Sequence, residues 1–259
     1  MGKYKFDELQ KKILERMDID RNGSSFNVAV EDGDISFYPV DFKIDCDNVL
    51  VNGIKNSIIN FTKVVMDNPN FDITNFKSNL DKNIVIVVSR DDVLDSGDTV
   101  YDENRNLFQI LADKSLVSSG VIYHELFHLA SRPEGGHTFR LGLREGYTEA
   151  LTHKYFSKSK LAYPDNVYYA LKLEKIIGSN LMENAYSKGD ASILIDALGG
   201  AEVFDRFNDN MDLLLGSYYR SNSGTELDDE EVRVNMARKN LEECLDIFKE
   251  RVKNVNKTI

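Results

Sequence analysis

Five consecutive residues, His124-Glu125-Leu126-Phe127-His128, carry the side chains in this chain best suited to chemistry. On an α-helix, residues four apart stand one above the other, so His124 and His128 would turn two imidazoles toward one point. Two imidazoles with a common target are half of a zinc site. Glu125 is rotated by about 100° from His124 on the same helix, beside such a metal rather than on it. That is the position of a general base. Residues 116–130 are otherwise apolar on nearly every side, which marks a buried helix. Two imidazoles and a carboxylate buried there need compensation, and a metal ion supplies it. The cofactor expected is Zn2+.

A catalytic zinc takes three protein ligands, so one more must come from elsewhere. The downstream candidates are Glu134, His137, Glu145 and Glu149. The pattern HExxHxxGxxH fails, because Ser131 and Glu134 stand where its glycine and third histidine belong. His137 follows Gly135 and Gly136 in a loop, where a histidine is more often simply exposed. Glu145 fits better. It lies in Leu143-Arg144-Glu145-Gly146-Tyr147-Thr148-Glu149-Ala150-Leu151, whose apolar flanks, with Leu141, read as a buried helix. Pro133, Gly135 and Gly136 provide the turn that folds this helix back on the first. Glu149 shares the face of Glu145 and is placed to accept the outer N–H of a metal-bound imidazole.

At these residues the chain resembles the gluzincins, the clan of thermolysin and the zinc aminopeptidases, in which HExxH is followed by a glutamate ligand on the next helix. The resemblance spans residues 117–156 and implies His124, His128 and Glu145 as zinc ligands, Glu125 as base and Glu149 as the carboxylate behind the ligands. The two elements lie slightly closer together in sequence than in those families. No Gly-Ala-Met-Glu-Asn segment is present, so aminopeptidase specificity is not implied. The activity implied is hydrolysis of a peptide bond by a zinc-bound water that Glu125 activates. A second donor to the transition-state oxyanion is also required. Tyr186, Tyr218, Tyr219, Arg220 and His153 are candidates, and the sequence singles out none of them.

The elements that must position these residues are read from periodicity. Residues 4–17 form a short amphipathic segment. Residues 26–30 and 35–40 flank Glu31-Asp32-Gly33-Asp34 as a β-hairpin. Val49, Ile54, Ile58, Phe61 and Val65 are spaced as one helical face. Ile84-Val85-Ile86-Val87-Val88 reads as a central strand, and residues 99–101 and 107–111 as a second hairpin. Beyond Pro164 the chain reads as helices broken at Gly178, Gly189 and Gly199-Gly200. The last helix, over residues 226–255, opens with five acidic residues and carries an apolar stripe of Val234, Leu241, Leu245, Phe248 and Val252. The expected class is therefore α+β and zincin-like, with a β-containing N-terminal lobe that holds the active-site helix and a mostly helical C-terminal lobe. The expected divisions are an accessory region at 1–80, a sheet lobe with the HExxH helix at 81–136, and a helical lobe with the glutamate ligand at 137–259.

Composition narrows the partners. A 259-residue chain buries a full core without stapling, and its two cysteines, Cys46 and Cys244, lack disulfide or metal spacing and read as buried thiols. The formal charge of −11 disfavours nucleic acid, whose phosphates need clustered Lys and Arg. No segment reads as a signal peptide or membrane span, and a cytoplasmic protein acting on a peptide or protein substrate is expected. Two other readings fit the same residues. One is a regulatory protease of a mobile element that cuts a single partner protein; the other is a non-catalytic protein that zinc stabilises.

Overall fold

The computed structural model describes residues 23–31, 34–39, 48–89, 97–103, 106–113, 120–157, 162–225 and 227–256. The segment expected at 4–17, Cys46 and the first turn of the helix expected from 116 lie outside these residues. The described residues fall into two compact units, one within 1–67, 73–130 and 156–159, the other within 68–72, 131–155 and 160–259.

In the first unit, helix α1 (Asn48–Asp67) follows the expected spacing, and Ile54, Ile58, Phe61 and Val65 are all buried. A short helix α2 (Thr74–Leu80) leads into the strands. Five short strands pair: β1 (Gly23–Glu31), β2 (Asp34–Pro39), β3 (Asn83–Ser89), β4 (Asp98–Asp102) and β5 (Leu107–Asp113), in the order β2-β1-β3-β5-β4. Only β3 and β5 are parallel, with Ile84 opposite Phe108 and Ile86 opposite Ile110. All four of these side chains are buried, as β-branched and aromatic residues on an inner sheet face should be. Among the described residues β4 pairs with β5 alone, at the end of that order.

Helix α3 (Val121–Ser131) carries the HELFH segment. Its first turn is closed by Gly120, whose carbonyl accepts from the Tyr123 and His124 amides. Near its other end, Asn79 Nδ2 donates to the Leu129 carbonyl at 2.7 Å, satisfying one of the orphan acceptors of a helix terminus. Between these ends an aromatic cluster grips the helix. Phe127 meets Phe61 edge-on at 4.8 Å between centroids, and Tyr123 stacks on Phe156 at 4.0 Å.

The second unit is helical: α4 (Leu141–Phe156), α5 (Pro164–Ile177), α6 (Ser179–Lys188), α7 (Ser192–Leu198), α8 (Ala201–Ser223) and α9 (Glu230–Asn256). Its core is built from Leu173, Met182, Phe204, Phe207, Met211, Leu241, Leu245 and Phe248. Gly189 ends α6 in the left-handed conformation. Its carbonyl accepts from both the amide and the hydroxyl of Thr138, which ties down the chain entering α4. The start of α4 is held by Asp212, which accepts from the Gly142 amide at 2.7 Å and from Arg140 at 2.9 Å. Asn166 Nδ2 donates to the carbonyls of both Gly142 and Met211, at 3.1 and 2.8 Å, and so clasps α4 to α8. No described helix is long and apolar enough to cross a membrane.

The expected α+β class with a β-containing N-terminal lobe is corrected. The described part is predominantly helical: helix takes 76% of the residues whose side-chain surroundings are described. The pairing strands, none longer than nine residues, share their unit with α1, α2 and α3 and do not form a β lobe of their own. Local alternation and β-branched runs are strand signals, but they carry no information on how much helix surrounds the strands. The zincin-like division into a β lobe and a helical lobe is withdrawn with the class.

The clasp at α4 depends on glycine. A Cβ at Gly142 would overlap the Met211 carbonyl group, and one at Gly146 would stand 2.6 Å from the Asn166 carbonyl oxygen. Gly142→Ala should therefore lower stability by about 1–3 kcal/mol. Gly53→Ala, exposed on α1 with nothing near its added methyl, should raise it by about 0.5–1 kcal/mol. Thermal unfolding of the two variants beside the parent checks both signs.

Candidate metal centre

The 4.8 Å separation of the His124 and His128 rings follows from their i, i+4 spacing on α3. Their Nε2 atoms stand 3.1 Å apart. Two nitrogens on one tetrahedral zinc, each about 2.0–2.1 Å from the metal, would be about 3.3 Å apart. The pair therefore already has the bite that a zinc ion requires. His124 is buried and His128 is partly buried.

Helix α4 carries Glu145 and Glu149, both buried. Arg144 extends one guanidinium nitrogen to 3.4 Å from Glu145 Oε1. His124 and His128 belong to the first unit and Glu145 to the second. Two imidazoles and one carboxylate are a donor set that suits zinc. Glu134 is exposed on the loop between α3 and α4. His137 Nε2 lies 2.8 Å from Ser131 Oγ, and its ring packs on Phe139 and Tyr186.

Glu125 is 2% exposed and faces β4. Thr99 Oγ1 donates to Glu125 Oε2 at 2.7 Å and also lies 3.2 Å from the Glu125 backbone carbonyl. Gly97 meets the other carboxylate oxygen: a Cβ there would stand 2.6 Å from Glu125 Oε1. Sequence reasoning missed both residues. Threonine and glycine are common types, and nothing local ties residues 97–99 to a helix that begins at Val121. Only the register of β4 against α3 could have singled them out.

Glu149 Oε1 accepts from the Ala162 amide at 2.7 Å and stands 3.5 Å from His153 Nε2. This carboxylate fixes the chain that leaves α4, a task the sequence did not suggest. Of the oxyanion-donor candidates, Tyr186 is fully buried, and its hydroxyl is 2.5 Å from Thr148 Oγ1. Burial pushes its phenol above the ordinary range. Arg220 is held by Glu230 through two hydrogen bonds of 2.7 and 2.6 Å. Tyr219 donates to Tyr163 at 3.1 Å, and Tyr218 packs edge-on against the Tyr163 ring. Tyr186 and Arg220 are thus committed to structural partners.

Comparison of the chain with models of known families, with curated proteins and with solved structures finds no match in any of the three.

The Arg220 guanidinium, by donating to Glu230, lowers that carboxyl from its ordinary value of 4.5 to about 2. A carboxylate depressed on folding stabilises the fold above its unfolded value, and that contribution is lost as pH falls through the folded one. Glu230→Gln should therefore lower the midpoint of thermal unfolding at pH 7. The gap from the parent should narrow between pH 4.5 and 2 and vanish below. A gap that is constant with pH would show that the carboxylate charge contributes nothing.

Proposed function

We propose that this chain is a zinc-dependent hydrolase of the peptidase type, resembling the gluzincins in its metal centre. The observation that carries the reading is the pair of imidazole nitrogens converging at 3.1 Å on a buried helix, with a buried carboxylate one residue along. A protein that used zinc for stability alone would have no need of that carboxylate, because structural sites close their fourth position with a ligand.

His124, His128 and Glu145 would hold the ion, which when bound supplies Lewis acidity toward a carbonyl and acidifies water. Glu125 does the proton work. Its carboxylate accepts a proton from the attacking water and then delivers it to the nitrogen of the leaving amine. The Thr99 hydroxyl satisfies one carboxylate oxygen, Oε2. Burial of Glu125 keeps bulk water from competing for the proton.

The test combines metal analysis with hydrolysis of a peptide library. The parent should retain about one zinc per chain and cleave peptides in a chelator-sensitive manner. Glu125→Gln should keep the zinc while hydrolysis falls at least about a hundredfold, the lower range for loss of a general base. His124→Ala, His128→Ala and Glu145→Ala should each lose zinc, whereas His137→Ala should not. Zinc retained after Glu145→Ala and lost after His137→Ala would move the third ligand. Zinc bound without cleavage of any library peptide would favour the stabilising role, or a protease for a single partner protein.

A further inference from the structure

We infer that Thr99 on strand β4 and Gly97 just before that strand are positioning residues for the Glu125 carboxylate; the inference rests on the reading of Glu125 as a base. The contact is between elements far apart in the chain, with 26 residues separating Thr99 from Glu125. It is therefore made by the fold rather than by helix geometry.

A glutamate side chain has three rotatable bonds, and an unrestrained base would spend much of its time turned away from the water it must deprotonate. Here both oxygens are constrained. The Thr99 hydroxyl proton goes to Oε2, where the distance is short, while the 3.2 Å approach to the Glu125 carbonyl holds the hydroxyl against the same residue's backbone. A side-chain oxygen and a backbone oxygen of one residue thus share a single hydroxyl, which fixes the carboxylate relative to its own helix. On the other side Oε1 fills the space beside Gly97 that a Cβ would occupy, and a Cβ there would also stand 2.6 Å from Val121 Cγ1. Gly97 has no unusual backbone angle; its role is to be small. The Gly97-Asp98-Thr99 step thereby forms a slot that admits the carboxylate and gives it one orientation.

With Oε2 engaged by the Thr99 hydroxyl and Oε1 seated against Gly97, the carboxylate is held in one orientation, as an oriented base requires.

Thr99→Val replaces the hydroxyl by a methyl of similar size, and Thr99→Ser keeps the hydroxyl while dropping a methyl. On the zinc-loaded protein, Thr99→Val should lower kcat about tenfold with KM within about twofold, the pattern of lost transition-state positioning. Thr99→Ser should recover most of that loss, and Gly97→Ala should behave like Thr99→Val. Zinc content should be the same in all three. A second measurement needs no activity: the shift in unfolding midpoint caused by Thr99→Val is compared in the parent and in a Glu125→Leu background. It should differ clearly between the two if the hydroxyl and carboxylate interact. Equal shifts, or a Thr99→Val variant with parental kcat, would overturn the inference. If the parent cleaves no peptide while the shifts still differ, the contact stands and the role of Glu125 as a base is what has failed.

Discussion

Everything proposed for this chain depends on keeping two imidazoles and a carboxylate in place on one turn of a buried helix. Polar groups in such a setting are stable only if each has a defined partner, and they point in a useful direction only if the helix itself cannot shift. Helix α3 is held at three levels. Asn79 satisfies the Leu129 carbonyl near its end, Gly120 closes its first turn, and Phe61, Phe127, Tyr123 and Phe156 pack its flank with rings. Truncating a buried aromatic in such a cluster costs about 3–5 kcal/mol. The rings therefore hold the helix more firmly than the polar contacts do, and the polar contacts set its fine position.

Helix α4 is fixed by the opposite strategy. Its mixed sequence gives it no strong apolar stripe, and its start is located by hydrogen bonds: Asp212 to the Gly142 amide, and Asn166 to the carbonyls of Gly142 and Met211. Such bonds are directional, and they fix rotation about the helix axis more tightly than apolar contact can. Rotation is the variable that matters for Glu145 and Glu149. A turn of about 100°, one residue's worth, would exchange the position of either carboxylate for that of its neighbour. Gly142 and Gly146 allow the close approach that brings the clasping groups into range.

The sequence was legible where the signal was local. The HELFH turn needs only i, i+4 spacing, and the two histidines have the separation that spacing demands. The helices beyond Pro164 were visible for the same reason: Gly178, Gly189 and Gly199 end α5, α6 and α7 within a few residues of where the apolar pattern stops. The overall class was misjudged because the hairpin alternation in residues 26–40 and the β-branched run at 84–88 read strongly over short stretches, while the weight of a fold lies in its long elements. Helices α8 and α9 span 23 and 27 residues. Contacts between distant segments were not legible at all. Thr99 on Glu125, Ala162 on Glu149 and Asp212 on the α4 amide each join residues whose types are common and whose separation in sequence follows no rule.

Three buried glutamates on two consecutive helices show how environment rather than residue type assigns a role. Glu125 accepts from a hydroxyl through one oxygen and lies against a glycine with the other, so its carboxylate is held in one orientation. That suits a group that must gain and lose a proton. Glu145 has the Arg144 guanidinium at 3.4 Å. Glu149 accepts from the backbone amide of Ala162, an interaction that requires no metal. Its burial would be hard to explain as a duty to zinc alone. The Ala162 amide gives it a second task, holding the segment between α4 and α5 against the helix that carries the ligand. In the proposed reading, losing Glu149 would therefore disturb the fold around α4 first and the metal only through it. For Glu145 the proposed partner is the metal itself.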